Sequence, residues 1–267
     1  MIGAAFTCNI CGHAGHFDPV GDWREAPSCD GCGSSVRMRS MIHYLLDGLL
    51  GRSPGLAGLK RRRTTGVGLS DWEGYAAPLS RAFAYTNTFY HQAPRLDICA
   101  PGKEHLGKYD FLMSSDVFEH VPPPASRAFD NAFALLRAGG LLVLTVPFAD
   151  NPDTIEHYPD LRSFAVVELD GEWVVVARSA DGSLALHTNP VFHGGPGSTL
   201  ELRLFSRAGV IADLAAAGFV DIEVHGGAVP EWGVFPPHHH GLPITARKPA
   251  SAIRKLLGRK LGAARPN

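Results

Sequence analysis

Residues 109–148 read YDFLMSSDVFEHVPPPASRAFDNAFALLRAGGLLVLTVPF. The first seven, Tyr109–Ser115, are mostly apolar and have the length of a strand. The last nine, GLLVLTVPF (140–148), are apolar enough for a central strand buried on both faces. Between them, ASRAFDNAFALLRAGG places Phe129, Phe133 and Leu136 on one helical face. Gly139–Gly140 is expected to end that helix in the left-handed conformation a C-cap requires. Strand, helix and strand in this order predict a parallel pair covered by its crossover helix.

The same rhythm extends outward. Toward the N-terminus, strands are expected ending near Thr64–Thr65, over AYTNTFYH (84–91) and over RLDIC (95–99). The first runs into GVGLSDWEGYA, where Ser70-x-x-Glu73 matches a capping box and marks a helix start. Glycines between strand and helix let a ligand approach the backbone beside free N–H groups. A tight turn with no ligand is the alternative reading of Gly66 and Gly68. Past residue 150 the segment AVVEL-DG-EWVVVAR-SADG-SLALHT (165–188) reads as a β-meander turning at Asp170–Gly171 and Asp181–Gly182. A helix capped by Ser206 and closed by Gly218 follows, and VDIEVHG and LPITARK complete the sheet as an antiparallel pair.

At the N-terminus, CNICG and CDGCG set Cys8, Cys11, Cys29 and Cys32 in two C-x2-C pairs separated by seventeen residues. Such pairs can present four thiolates to Zn2+ as a zinc ribbon, and four protein ligands close the coordination sphere, so the metal is expected to be structural. Unconnected or disulfide-bonded cysteines are the alternative. His13 and His16 read as surface residues. MRSMIHYLLDGLL (38–50) has helical apolar spacing and is expected to pack this ribbon onto the sheet.

The expected fold is therefore α/β, a doubly wound, Rossmann-like, mostly parallel seven-stranded sheet with an N-terminal zinc ribbon and a β-meander insertion. Expected domains are the ribbon at 1–36, a connecting helix and linker at 37–58, the sheet domain at 59–248 with its insertion at about 150–204, and a basic tail at 249–267.

The chain has 267 residues and a formal net charge of −1. Residues 247–267 carry seven of the 25 Lys and Arg and no acid, leaving 18 basic against 26 acidic residues before them. So acidic a body argues against a general nucleic-acid surface. No apolar run approaches the roughly 20 residues of a spanning helix, and the first residues lack signal-peptide order. Reduced thiols point to the cytoplasm. The tail could dock weakly on an anionic membrane, although a solvated terminal helix is the plainer reading. His238–His240 reads as a solvated loop.

Residues 109–148 closely resemble the later motifs of class I S-adenosylmethionine-dependent methyltransferases, a strand of the type "fDvv.s.dvleHv", a helix and "LkpGG.lvi..P". The resemblance implies that Gly66 and Gly68 match the first two glycines of the loop on the methionine side of the cofactor. It also implies that Asp97 stands where an acid contacts the adenine amino group. Three departures accompany it. Thr64 replaces the acid that opens the first motif, Ser70 replaces the third glycine, and no carboxylate ends the second strand to hold the ribose. Asn87 could hydrogen-bond a ribose hydroxyl instead, and Asp71 or Glu73 could fill the gap. Asp116 follows the fourth strand at the edge where such sheets bind ligands, so it joins the expected cofactor pocket.

With the ribbon, the chain looks like zinc-ribbon methyltransferases that accompany sugar or surface-polysaccharide synthesis. The expected function is methyl transfer from S-adenosylmethionine to a small-molecule acceptor, a sugar hydroxyl among the candidates. A ribosomal-RNA base methyltransferase is the alternative, favoured by Arg37, Arg39 and the run Lys60–Arg63. A non-catalytic zinc-binding scaffold with a decayed cofactor site is the second alternative. Candidate catalytic residues are His120, whose other reading is a structural histidine, and His157 and His193 in the insertion.

Overall fold

The computed structural model describes residues 4–17, 24–235 and 241–250. His238–His240 and the basic tail beyond residue 250 lie outside them. Strands β1 (Ala4–Thr7) and β2 (Ala14–Phe17) form an antiparallel hairpin beside the first cysteine pair. Helix α1 (Val36–Leu50) is capped by the Ser35 hydroxyl, which accepts from Met38 N–H, and is closed by left-handed Gly51. Strand β3 (Thr65–Leu69), helix α2 (Glu73–Ala82), β4 (Ala84–Thr88), β5 (Tyr109–Ser115), α3 (Ser126–Leu135) and β6 (Leu136–Thr145) follow.

Short strands β7 (Phe148–Ala149) and β8 (Ile155–Glu156) lead into a three-stranded antiparallel meander, β9 (Leu161–Leu169), β10 (Glu172–Ser179) and β11 (Leu184–Thr188). Asp170 and Gly171 both have positive φ, at 53° and 84°, as a two-residue hairpin turn of this twist demands. The hairpin β12 (Phe192–His193) and β13 (Thr199–Leu200) returns the chain to β14 (Arg203–Ser206). Helix α4 (Arg207–Ala217) starts on the Ser206 hydroxyl and ends at left-handed Gly218. β15 (Val220–Val224) and β16 (Ile244–Arg247) close the chain's main sheet.

That sheet has six strands in the order β15-β16-β6-β5-β3-β4. The four from β6 to β4 run parallel, and β16 is antiparallel to both its neighbours. The expected strand at Arg95–Cys99 does not form, so the sheet has six strands rather than the expected seven. Pro94 has no N–H to donate to a ladder, and Asp97 turns its carboxylate onto the Cys99 N–H at 2.8 Å, a local bond that competes with strand pairing. Only an isolated Phe89–Arg95 bridge remains.

Two other expectations are corrected. The helix before β6 stops at Leu135 and passes directly into strand at Leu136, without a glycine cap. Its last carbonyls are satisfied from elsewhere in the chain: Lys248 Nζ donates to Phe133 O at 2.8 Å, and the Gly107 and Lys108 N–H groups donate to Ala134 and Leu135 O at 2.8 and 3.0 Å. Gly139, at φ 79°, instead belongs to an irregularity inside β6, where pairing jumps from Tyr109–Leu136 to Phe111–Leu141. Nor does Ser70 cap α2. It sits at φ 55° and gives its N–H to Thr88 O, and the helix begins after Trp72 without a side-chain cap.

The sheet is covered on both faces. One core joins Val67, Leu112, Leu142 and Leu144 to Phe129 of α3 and Leu214 of α4. The other joins Phe111 and Val143 to Met41 and Ile42 of α1, to Tyr75 and Leu79 of α2, and to Phe6, Cys8 and Ile10 of the N-terminal hairpin. The cysteine-bearing segment thus shares a core with the sheet.

Candidate functional site

The four N-terminal cysteines converge, their Sγ atoms all within 4.8 Å of one another. Cys8–Cys32 and Cys11–Cys29 sulfurs are each 3.7 Å apart. A disulfide needs about 2.05 Å, whereas two thiolates about 2.3 Å from one tetrahedral Zn2+ stand roughly 3.8 Å apart. The residues fit such an ion. Arg39 adds an independent argument. It is fully buried, donates to Ser28, Ser34, Trp232 and Gly233 oxygens, and has no carboxylate partner among the described residues. Burial pulls its pKa down and nearby thiolate charge opposes that. A doubly negative four-thiolate metal centre would supply the missing counter-charge.

At the carboxyl ends of β3, β4 and β5 lies a cavity of about 270 Å³, lined by Leu69, Ser70, Leu96, Asp97, Val117 and His120 among others. A second cavity of about 570 Å³ adjoins it, walled by Arg24, Arg37, Asp116, His120, His193 and Thr199. His120 and Thr199 belong to both. Of the residues expected to hold cofactor, Ser70 and Asp97 line the smaller cavity, while Asp116 lines the larger. Asp116 pairs with Arg24 at 3.1 Å and Arg37 at 3.3 Å. Burial would raise its carboxyl, but these two guanidiniums outweigh that and hold it below the usual range.

Gly66, Gly68 and Asn87 are not among the lining residues. A Cβ on Gly66 would fall 2.1 Å from the Phe111 ring, and one on Gly68 would strike the Tyr85 hydroxyl and Asp71 carboxylate at 1.9 and 2.1 Å. These glycines admit neighbouring side chains rather than facing either cavity. Asn87 spends its amide on the Asp71 backbone. Asp71 is itself buried and accepts from the Tyr75 hydroxyl at 2.7 Å and from that of Tyr85. Burial pushes its carboxyl up to about 7. It lines neither cavity, and neither does Glu73.

The candidate histidines meet around two carboxylates. The turn after β5 (Phe118–His120) is zipped to the chain entering β14. Leu202 N–H donates to Glu119 O, Arg203 Nη1 to Phe118 O, and the His120 ring to Leu200 O at 2.7 Å through Nδ1. Arg203, fully buried, is anchored by Glu156 at 2.7 Å. This brings Glu201 and the β12–β13 hairpin against the end of β5. His193 Nε2 donates to Glu201 Oε2 at 2.7 Å, and His157 Nε2 to Oε1 at 2.9 Å. His193 Nδ1 lies 3.2 Å from Glu119 Oε1, and His120 Nε2 lies 3.6 Å from the same oxygen. Glu119 and Glu201 thus raise His193 to about 10. Burial pushes Glu119 up to about 7 and lowers His120. Burial would also raise Glu201, but its bonds from the two histidines prevail and lower it. His157 stands behind Glu201 and does not line the larger cavity.

Sequence reasoning did not single out Glu201, Arg24 or Thr199 for this site. Glu201 had a signal, an acid between buried Leu200 and Leu202, but Arg24 and Thr199 had none.

Residues 38–173, just over half of the chain, match the family model described as a methyltransferase domain. No curated protein matches. Among solved structures, the chain is similar to a 1,6-didemethyltoxoflavin-N1-methyltransferase of Burkholderia thailandensis with bound 1,6-didemethyltoxoflavin and S-adenosylhomocysteine. Identity is 16%, covering 79% of this chain and 78% of that one, with a TM-score of 0.43. It is also similar to a sugar N-methyltransferase of Streptoalloteichus sp., at 14% identity, 70% and 81% coverage and a TM-score of 0.41. An S-adenosylmethionine-dependent methyltransferase of Clostridium acetobutylicum gives 12% identity, 72% and 86% coverage and the same score. At these scores no residue role or substrate is carried over.

Proposed function

The chain belongs to the methyltransferase-domain family and is an S-adenosylmethionine-dependent methyltransferase, and from that premise we propose that its acceptor is a small polar molecule. The observation that carries this reading is the pair of adjoining cavities. The smaller, with Ser70 and Asp97 on its walls, suits the nucleoside end of the cofactor. The larger suits an acceptor of sugar size. Its arginines are already paired with Asp116 and Glu25, so among the described residues the walls of this cavity offer no continuous basic track of the kind a nucleic acid backbone needs.

Methyl transfer from a sulfonium needs chiefly in-line positioning. His120, at the wall common to both cavities, and His193, in the larger one, are the candidates for contacting the acceptor. His157 acts on His193 through Glu201. The four cysteines hold one structural Zn2+, with all four positions taken by protein, so the ion shapes the ribbon and takes no part in the transfer. The reduced thiols of that centre favour a cytoplasmic protein.

Calorimetric titration with S-adenosylhomocysteine tests the cofactor assignment. Binding at micromolar ligand is expected, weakened at least tenfold by Asp97→Ala. No binding at millimolar ligand would support the decayed scaffold instead. Tight RNA binding that survives removal of residues 251–267 would promote the RNA alternative.

A further inference from the structure

We propose that Glu119, His120 and His193 bind a divalent first-row transition-metal ion, separate from the four-cysteine centre. One donor atom from each lies within 4.8 Å of the others. The Glu119 Oε1 distances to His193 Nδ1 and His120 Nε2 are 3.2 and 3.6 Å. Nitrogen and oxygen ligands about 2.1 Å from one ion stand roughly 3.0–3.4 Å apart, so small rotations of the side chains would bring all three onto one centre.

Two further observations point the same way. Each imidazole has its outer nitrogen already engaged, His120 Nδ1 on Leu200 O and His193 Nε2 on Glu201. Glu201 is in turn held by His157. Such outer bonds fix the tautomer and turn the inner nitrogen of a metal-binding histidine toward its ion. Glu119 supplies the second observation. Its side chain is fully buried, and neither carboxylate oxygen makes a hydrogen bond of good geometry, the nearest donor being His193 Nδ1 at 3.2 Å from Oε1. A carboxylate taken out of water with so little hydrogen bonding is costly, and a metal cation at its oxygens lowers that cost.

Two imidazoles and one carboxylate suit Mn2+, Fe2+, Co2+ or Zn2+ better than Mg2+, which favours oxygen donors. Three protein ligands leave positions open. His120 and His193 both line the larger cavity, so those positions face the space assigned to the acceptor, whose oxygen they could take. That last step rests on the proposed function, whereas metal binding itself does not.

The test uses the full chain with zinc already in its cysteine centre. Mn2+ is added, and free Mn2+ is followed by electron paramagnetic resonance. One Mn2+ per chain is expected, with affinity at least tenfold weaker in Glu119→Gln and in His193→Ala and reduced less in Glu201→Gln. His193→Ala lies in a two-residue strand of a surface hairpin, so it keeps the test open should the Glu119 variant fail to fold. S-adenosylhomocysteine titration of the same samples reports the cofactor site separately. Normal cofactor binding without any stoichiometric Mn2+, Co2+ or second zinc would overturn the metal site alone. So would Mn2+ binding that none of the three variants weakens. Metal binding without cofactor binding would sink the methyltransferase assignment of the cavities and leave the metal site standing.

Discussion

The side-chain amide of Asn87 is clasped at both ends to the backbone of Asp71. Its Oδ1 accepts from the Asp71 N–H at 2.9 Å, and its Nδ2 donates to the Asp71 carbonyl at 2.8 Å. The end of β4 is thereby stitched to the turn after β3, which holds Ser70 at the cavity wall. Asn87→Ala removes both bonds, at a cost of about 2 kcal/mol, and should lower Tm by about 4–8 °C. Affinity for S-adenosylhomocysteine should fall less than fivefold. An unchanged Tm with cofactor binding abolished would return Asn87 to the ribose role.

Asp71 makes stability depend on pH in an unusual direction for a carboxylate. Its carboxyl faces the hydroxyls of Tyr75 and Tyr85, with Arg37 nearby, and burial moves its pKa from 3.8 to about 7. The folded state keeps a proton that the unfolded chain releases, so this group's contribution is full below pH 3.8 and falls as pH rises to about 7. About three units correspond to roughly 4 kcal/mol. Urea unfolding between pH 4.5 and 8 should show the wild type losing stability relative to Asp71→Asn as pH rises. Parallel curves would refute the buried, neutral carboxyl.

Metal analysis should give one zinc per chain held by the cysteines, and Cys8→Ser or Cys29→Ser should lose the ion or the fold. Arg39→Met should cost about 3–5 kcal/mol in the zinc-loaded protein, because it strips the buried counter-charge from the thiolates. A Cys8→Ser/Cys29→Ser double variant that remains fully loaded would eliminate the site. An Arg39 variant of unaltered stability would eliminate the charge argument.

Gly66→Ala and Gly68→Ala should each destabilise by overpacking, about 1–3 kcal/mol. Only the second should also disturb the pH profile, since its Cβ would press on Asp71 and Tyr85. Equal pH profiles for the two variants would show that Gly68 does not guard the Asp71 cluster.

Much of this was legible in the chain itself. The Asp170–Gly171 turn, the Ser206 and Gly218 caps and the strand at 109–115 depend on residues a few positions apart and formed as expected, while the strand expected at 140–148 formed shifted, as Leu136–Thr145. The segment Arg95–Cys99 failed because composition alone cannot weigh a strand ladder against the Asp97 turn. The end of α3 was misplaced because the groups that satisfy its last carbonyls, Gly107, Lys108 and Lys248, lie far away in the sequence.

The site divides along the same line. Spacing drew attention to Cys8, Cys11, Cys29 and Cys32, because short loops bring each pair together at little entropic cost. His120, His157 and His193 could be named as candidates one by one. What they do to each other was decided by the tertiary structure. Leu202 zips onto the Glu119 backbone and Arg203 is buried against Glu156. These contacts carry His193 across 74 residues to Glu119. Periodicity and turn chemistry record contacts within a few residues. The order of strands in a sheet, and which loops meet above it, depends on long-range packing that leaves no local mark on the chain.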